Sequence, residues 1–366
     1  MSTHLEPYLS RITAVRERFA DWGVGALLIV SPTNRRWLSG FTGSNAQLLI
    51  TEDKALLATD FRYYERVAVE APAFTLFKHQ RTDEDTKAFL AETAVSKIGV
   101  EANQMTLAQL AKLKAVSDKE WVPLDKTVEP LRQYKTADEI AIQRQAAAIT
   151  DLAMAQFNHI AQPGKTEKQL AWELEKLMRE NGADGLAFDI IVASGPNSVH
   201  PHHENSDRQL EEGDTIIVDM GAEIAGYKSD MTRSFYLGNT PPEKFWEVYN
   251  IVLAAHQTVF EKCTPGMSAQ AVDSLARDFI AEAGYGDNFG HGLGHSVGLD
   301  IHEDPFLSQR TKPNETLEIG MNITIEPGVY LPGWGGIRIE DFALMREGGL
   351  QPISLCPKKP VIAIHD

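Results

Sequence analysis

The sequence has too few cysteines and too few positive charges for several classes of protein. Only Cys263 and Cys356 occur among 366 residues, which is too few for a disulfide framework and lacks the paired spacing of a thiolate metal site. Lys and Arg number 35 against 51 Asp and Glu, giving a formal charge of -16. This balance opposes binding to phosphate backbones and anionic membranes. We therefore expect neither nucleic acid nor a membrane as a partner.

Long apolar runs are also lacking. The longest, such as residues 26–30, are far too short to cross a bilayer, and residues 1–11 contain no apolar segment of the secretory type. We therefore expect a cytoplasmic protein. The sequence has no G-x-S-x-G motif, and Gly164-Lys165-Thr166 is no phosphate loop because position 159 is His159. A zincin motif starting at His302 fails because its second histidine is replaced by Phe306.

The chain is long enough for two domains, since 366 residues exceed what one hydrophobic core usually supports. Alternating helical and strand periodicities in residues 1–125 predict an α/β domain. A polar stretch containing Pro123 and Pro130 predicts a linker at residues 126–136. Residues 137–366 show long helical patterns followed by antiparallel strands. The expected fold class is α+β.

An acidic pair lies on a predicted β-hairpin. The apolar run at residues 215–218 takes Asp219 to the end of a buried strand, where an unpaired carboxylate would be costly. Two glycines flank the following bend, and the returning strand brings Asp230 back beside Asp219. An ion pair with Arg233 could explain either acid alone. Two acids on one hairpin favour a cation site.

A glycine-rich segment, residues 290–295, places His291 and His295 four positions apart. Its three glycines disfavour a helix. We expect an extended strand there, on which both imidazoles point to one face. A lone histidine is usually structural, so its value as a ligand depends on the neighbouring acids.

Two further segments end in glutamates. The apolar run at residues 323–325 leads to Glu326 and is then broken by proline and glycine. In residues 336–340, strand alternation puts Arg338 and Glu340 on one face. An ion pair between these two residues would explain that segment alone, but it would leave the other strand-end acids unexplained.

Together these segments supply five candidate metal ligands: Asp219, Asp230, His295, Glu326 and Glu340. Four carboxylates with one neutral imidazole carry about four negative charges, which two divalent cations would balance. Oxygen ligation with one nitrogen and no thiolate favours manganese, with cobalt, zinc or iron as alternatives. The sequence therefore predicts a dinuclear metal site.

The order Asp, Asp, His, Glu, Glu resembles the creatinase and methionine aminopeptidase superfamily, the pita-bread peptidases, in the branch acting on Xaa-Pro bonds. Residues 192–195 (VASG), 227–233 (YKSDMTR) and 302–303 (HE) share this resemblance. Residues 37–44 (WLSGFTGS) and 59–63 (TDFRY) are similar to a creatinase-like N-terminal domain. The likeness covers almost the whole chain.

The resemblance implies a creatinase-like N-terminal domain followed by a pita-bread catalytic domain, in a homodimer. It implies that Asp219 chelates one metal, that Asp230 and Glu340 bridge both, and that His295 and Glu326 complete the shell of the other. A hydroxide bridging the metals would attack the carbonyl before proline. Glu326 would be the general base and proton shuttle.

Four further site residues are implied. His202 and His302 would contact the substrate and steady the tetrahedral intermediate. His291 and Arg338 would orient the ligands from outside the metal shell. One choice is open, because three histidines crowd one loop: His200, His202 and His203. The position after Pro201 and the distance from residues 194–195 favour the middle one.

The expected activity is that of an Xaa-Pro aminopeptidase acting on proline-containing peptides, and the alternative is an Xaa-Pro dipeptidase, or prolidase. A dipeptidase must hold the proline carboxylate, whereas an aminopeptidase leaves room for a continuing chain. The similarity at residues 40–44 favours the aminopeptidase. Two remote alternatives are a non-catalytic peptide-binding module and a metal-free creatinase-like hydrolase, but both groups lose metal ligands that are intact here.

Overall fold

The computed structural model describes residues 5–364, and the chain divides after Arg132 into two compact units. The division falls inside the predicted linker at residues 126–136, where the short helix α7 lies. The helices of the first unit are α1 (Glu6–Glu17), α2 (Phe19–Trp22), α3 (Pro32–Ser39), α4 (Tyr64–Glu70), α5 (Asp83–Ala91), α6 (Leu107–Val116) and α7 (Glu129–Arg132).

A six-stranded mixed sheet forms the centre of the first unit. Its strands are β1 (Ala26–Ile29), β2 (Gln47–Thr51), β3 (Ala55–Thr59), β4 (Thr75–Lys78), β5 (Lys97–Glu101) and β6 (Glu120–Leu124), in the order β4-β3-β2-β1-β5-β6. Leu28, Leu49 and Ile98 from the middle strands are fully buried in its core. Strand β6 lies at the edge, where the missing N–H of Pro123 is tolerated. No strand is predicted there from the sequence, because this proline indicates the linker.

Four long helices belong to the second unit: α8 (Ala137–Ile160), α9 (Glu167–Glu180), α10 (Glu243–Lys262) and α11 (Ala269–Glu282). Capping boxes at Thr136 and Thr166 begin α8 and α9, which satisfies N–H groups that the first helical turn leaves unpaired. Apolar faces of α10 and α11 pack against the strands near the C-terminus in one core cluster. No helix within residues 5–364 is long and apolar enough to cross a membrane.

The strands of the second unit pair mainly in antiparallel fashion. They are β7 (Gly185–Leu186), β8 (Ile191–Ser194), β9 (Thr215–Met220), β10 (Ala222–Ile224), β11 (Tyr227–Lys228), β12 (Met231–Leu237), β13 (Gly294–Ser296), β14 (Glu303–Leu307), β15 (Asn322–Ile325), β16 (Gly328–Leu331), β17 (Gly335–Arg338), β18 (Asp341–Arg346), β19 (Gly349–Pro352) and β20 (Val361–Ile362). The α+β prediction is confirmed. Asp219 lies in β9 and His295 in β13, whereas Asp230 directly precedes β12, Glu326 directly follows β15 and Glu340 directly precedes β18.

Candidate metal centre

A cavity of about 530 Å³ in the second unit brings all five candidate ligands together. The residues that line it are Phe188, Asp189, Ile191, Pro201, His202, His203, Asp219, Asp230, His291, Gly292, Gly294, His295, Ile301, His302, Phe306, Glu326, Arg338 and Glu340. Every residue predicted for the site is among them.

The acidic pair is held by the predicted hairpin. Strand β9 pairs with β12 so that Asp219 lies opposite Thr232, and Asp230 immediately precedes β12. The Oδ2 atom of Asp219 accepts a hydrogen bond of 2.7 Å from Arg338. Its Oδ1 atom is buried and has no hydrogen-bond partner within residues 5–364. A buried carboxylate oxygen without a donor is costly, and a cation would compensate it.

His295 has the protonation state that a metal ligand requires. Its Nδ1 lies 3.0 Å from the Ser296 carbonyl oxygen, so Nδ1 carries the proton and Nε2 keeps its lone pair. That Nε2 lies 3.7 Å from Oδ2 of Asp230 and 3.5 Å from Oε1 of Glu326. Burial, aided by His302, lowers the pKa of His295 to about 4. The ring is therefore neutral at physiological pH.

Asp230, His295 and Glu340 form the tightest group in the cavity, with their ligand atoms all within 4.8 Å of one another. Burial and the neighbouring carboxylates raise the pKa of Asp230 and Glu340 well above the usual values. Burial also raises the pKa of Glu326 to about 8. Crowded carboxylates of this kind are stabilised when a cation replaces their protons.

Arg338 connects the acids to a second layer of side chains. Besides Asp219, its guanidinium donates to the hydroxyl of Thr232 at 3.1 Å and to that of Tyr330 at 2.9 Å. Thr232 in turn donates to Oε2 of Glu340 at 2.7 Å. Among the described residues Arg338 therefore forms its ion pair with Asp219, and the alternative Arg338–Glu340 pair is not found.

His291 reaches the same network from a loop. The expected strand over residues 290–295 is wrong, because strand β13 begins only at Gly294. His291 nevertheless lines the cavity, and its Nε2 lies 3.0 Å from the Tyr330 hydroxyl. Burial, with Arg338 next in importance, lowers the pKa of His291 to about 4. Tyr330 links the two predicted orienting residues and was missed, since its position in β16 gives no sequence signal of its own.

The crowded histidine loop occupies one side of the cavity. His202 and His203 line the cavity, whereas His200 is exposed and does not. The Nε2 atom of His203 is bound to Glu167 at 2.7 Å, which leaves His202 as the exposed ring on this side. The His302 ring lies edge-on to His295, with centroids 4.5 Å apart.

The residues present therefore fit a pair of divalent cations. They supply four carboxylates, one imidazole with a free lone pair and one buried oxygen without a donor. The buried second layer fixes Asp219 and Glu340 by hydrogen bonds, as is usual behind metal ligands. Such a site, on the floor of an open cavity, defines a metal-dependent hydrolase.

The chain belongs to metallopeptidase family M24, whose family model matches residues 141–347. The creatinase/prolidase N-terminal domain matches residues 11–134. These matches confirm the resemblance, the creatinase-like and pita-bread fold, and a metallopeptidase activity on peptides. Membership of this family implies a dinuclear divalent metal centre.

Relatives carry the same domain arrangement over nearly their full length. The chain is 39% identical over 334 residues to an Xaa-Pro dipeptidase of Pyrococcus furiosus, covering 90% of this chain and 93% of that protein. An Xaa-Pro dipeptidase structure from Bacillus anthracis has a TM-score of 0.94 at 37% identity, covering 98% and 100% of the two chains. An X-Pro aminopeptidase structure from Thermotoga maritima has a TM-score of 0.86 at 34% identity, covering 93% and 98%.

Proposed function

We propose that this metallopeptidase is an Xaa-Pro aminopeptidase, which hydrolyses the bond before a proline in the second position of peptides longer than two residues. The observation that carries the proposal is the cluster of five ligand residues on the floor of one cavity. The similarity to Xaa-Pro dipeptidases and an X-Pro aminopeptidase supports the proline specificity. A dipeptidase is the second candidate, because relatives of both kinds match.

Five residues would hold the cations: Asp219, Asp230, His295, Glu326 and Glu340. When bound, two divalent cations would activate a water molecule and polarise the scissile carbonyl. The protein supplies the remaining chemistry. Glu326, at the cavity surface, is placed to accept and return a proton, and Arg338 fixes the carboxylate of Asp219. His202 and His302 both line the cavity and would contact the substrate.

The apolar part of the cavity suits a proline peptide. Phe188, Ile191, Ile301 and Phe306 contribute to its wall, and apolar side chains favour burial of a pyrrolidine ring. The bond before proline lacks an N–H, and the ring restricts the preceding residue, so its recognition depends on shape rather than on a backbone hydrogen bond. These features support the proline preference.

The charges around the cavity bear on the length of the peptide that it accepts. A dipeptide carries its carboxylate on the proline itself, so a dipeptidase benefits from an uncommitted cation nearby. Among the described residues that line the cavity, Arg338 is the only Lys or Arg. Its guanidinium already donates to Asp219, Thr232, Tyr330 and the Pro201 carbonyl. This favours the aminopeptidase, whose substrates have no charge at that position.

A panel of matched peptides tests this proposal. Xaa-Pro, Xaa-Pro amide and Xaa-Pro-Yaa share the scissile bond, while the amide removes the carboxylate charge without adding a residue. We expect kcat/KM to rise by about tenfold or more from the dipeptide to the tripeptide, with the amide above the dipeptide. Xaa-Ala-Yaa is the control for proline specificity. Hydrolysis of the dipeptide with none of the amide or tripeptide would establish the dipeptidase instead.

Four finer features stay predictions from sequence. Manganese is the expected metal, since the ligands are mostly oxygen with a single nitrogen, and metal analysis of the purified protein tests this. The homodimer is tested by light scattering on the same preparation. The charge of -16 argues against nucleic acid as a partner. A cytoplasmic location is tested by cell fractionation.

A further inference from the structure

A buried carboxylate outside the cavity, that of Glu167, binds the loop that contains His202. Glu167 is the first residue of α9, and its side chain is completely buried. The carboxylate makes no ion pair with Lys or Arg in the described residues around it. Four side chains and two backbone amides converge on it instead.

Each oxygen of this carboxylate accepts three hydrogen bonds from one end of the loop. Oε1 accepts from the backbone amide and hydroxyl of Ser194, at 2.8 and 2.7 Å, and from the amide of Asn197 at 3.0 Å. Oε2 accepts from Nε2 of His203 at 2.7 Å and from the backbone amide and hydroxyl of Ser206, at 2.9 and 2.7 Å. One side chain thus joins both ends of residues 194–206.

His202 lies between two residues whose positions are fixed by hydrogen bonds. The ring of His203 is bound to Glu167, and the carbonyl of Pro201 accepts a hydrogen bond of 3.2 Å from Arg338. The His202 ring is exposed and has no hydrogen bond of its own to residues 5–364. Its place at the cavity therefore depends on the backbone on either side.

We propose that Glu167 is a positioning residue, which holds His202 at the cavity by fixing the 194–206 loop. Glu167 does not line the cavity, so it acts on the reaction through the 194–206 loop, on which His202 is the exposed ring at the cavity. Six hydrogen bonds to the ionised form also hold the pKa of Glu167 at about 2, against the effect of burial, so the anchor is charged throughout the working pH range. The kinetic part of this inference rests on the proposed function, and the structural part does not.

Glu167→Gln is the sharpest variant, because it keeps the shape and changes one acceptor into a donor. Whichever way the amide is turned, its NH₂ group faces the backbone amide of Ser194 or of Ser206, and that hydrogen bond is lost. His203→Ala is a milder second variant that removes a single hydrogen bond. Glu175→Gln is the matched control, since Glu175 lies on the same helix and pairs at the surface with Arg179.

The first readout is hydrogen–deuterium exchange of the wild-type and variant proteins with their metals bound. Exchange should become faster in peptides covering residues 194–206 in Glu167→Gln and His203→Ala. Exchange in peptides covering residues 219–230 should be unchanged, and the metal content should equal that of the wild type. Glu175→Gln should exchange like the wild type throughout. This readout needs no activity, so it tests the anchoring of the loop even if no Xaa-Pro peptide is cleaved. Absence of such cleavage would contradict the proposed function but not the anchoring. Unchanged exchange at residues 194–206 would overturn the proposal.

The second readout is a double-mutant cycle with His202→Ala on an Xaa-Pro-Yaa peptide. In the wild-type background, Glu167→Gln should lower kcat/KM by about tenfold, with the metal content unchanged. In the His202→Ala background the same change should cost less than about twofold, because the residue that it positions is already gone. Equal losses in both backgrounds would show a general structural role and would overturn the inference.

Discussion

At the scale of single residues, the chemistry of the site depends on the shifted pKa values of its buried acids and histidine. Asp230, Glu326 and Glu340 are buried together, and each has a raised pKa. His295 has a lowered pKa and presents an unprotonated nitrogen to them. Raised pKa values mean that cations compete with protons for these acids. Metal affinity should therefore rise with pH until these protons are gone.

The stability of the metal-free protein should fall as pH rises. Carboxyl groups in the unfolded chain titrate near about pH 4, whereas Glu326 in the folded chain titrates near 8. Between these values the folded state binds more protons, so the free energy of unfolding decreases with pH. His291 and His295, whose pKa is lowered to about 4, oppose this trend below about pH 6.5, so we expect the Tm of chelator-treated protein to fall from about pH 7 to about pH 8. A Tm that rises throughout this range would contradict the raised pKa values.

Asp230→Asn separates this repulsion from metal binding. The substitution removes one of the crowded carboxylates, so the metal-free variant should be more stable than metal-free wild type at pH 8, with about 2–4 °C in Tm for each kcal/mol. It should also lose the increase in Tm that added manganese gives the wild type. Differential scanning calorimetry with and without metal measures both effects. A variant that keeps the metal-induced increase would show that Asp230 is no ligand.

Arg338→Lys tests the second layer. Lysine keeps the charge but cannot reproduce the fork that joins Asp219 to Thr232 and Tyr330. We expect metal affinity or kcat/KM to fall by about 10–100-fold, measured by calorimetric titration and kinetics. Arg346→Lys, at an exposed position on β18, is the control. Wild-type affinity and activity in Arg338→Lys would mean that charge alone orients Asp219.

At the scale of secondary structure, strand ends determine where the ligands lie. The hairpin of β9 and β12 and the strand before Glu326 could be predicted because apolar runs ended in acids between turn residues. The loop around His291 could not be predicted from the sequence. Its backbone is held by Arg277 of α11, which donates to the carbonyls of Phe289 and His291. Such contacts join residues distant in sequence and leave no local pattern.

The same limit applies to the second layer and to the histidine loop. Tyr330 lies on a short strand whose other residues are apolar or glycine, so nothing in the local sequence marks it. Glu167 reads as an ordinary acid in the first turn of a helix, where acids are common. Its role follows only from the loop that folds over it. The candidate ligands and two of the residues behind them, His291 and Arg338, could thus be predicted from sequence, while Tyr330 and Glu167 could not.

Gly290 and Gly294 lie in one segment but differ in how closely other atoms approach them. A Cβ atom at Gly294 would lie 2.0 Å from the Thr324 carbonyl oxygen, whereas one at Gly290 would meet no heavy atom within 4 Å among the described residues. Gly294→Ala should force β13 away from β15, destabilise the protein by about 1–3 kcal/mol and displace His295. Gly290→Ala should change the Tm little. Equal Tm values for both variants would contradict the close packing of these strands.

At the scale of the whole molecule, all five candidate ligands and the cavity belong to the second unit. The family match and the two-domain relatives identify the chain as a metallopeptidase of family M24. The remaining choice, between dipeptides and longer peptides, depends on the charges around the cavity rather than on the ligands. The N-terminal unit has its own sheet and core.

One titration decides whether the carboxylate cluster is the catalytic centre. Chelator-stripped protein is titrated with manganese, and bound metal and hydrolysis of an Xaa-Pro-Yaa peptide are measured in the same samples. We predict that activity rises with metal, that binding saturates at two ions per chain, and that Asp230→Ala neither binds two ions nor cleaves the peptide. Full hydrolysis by the stripped protein, or by Asp230→Ala, would contradict the dinuclear site.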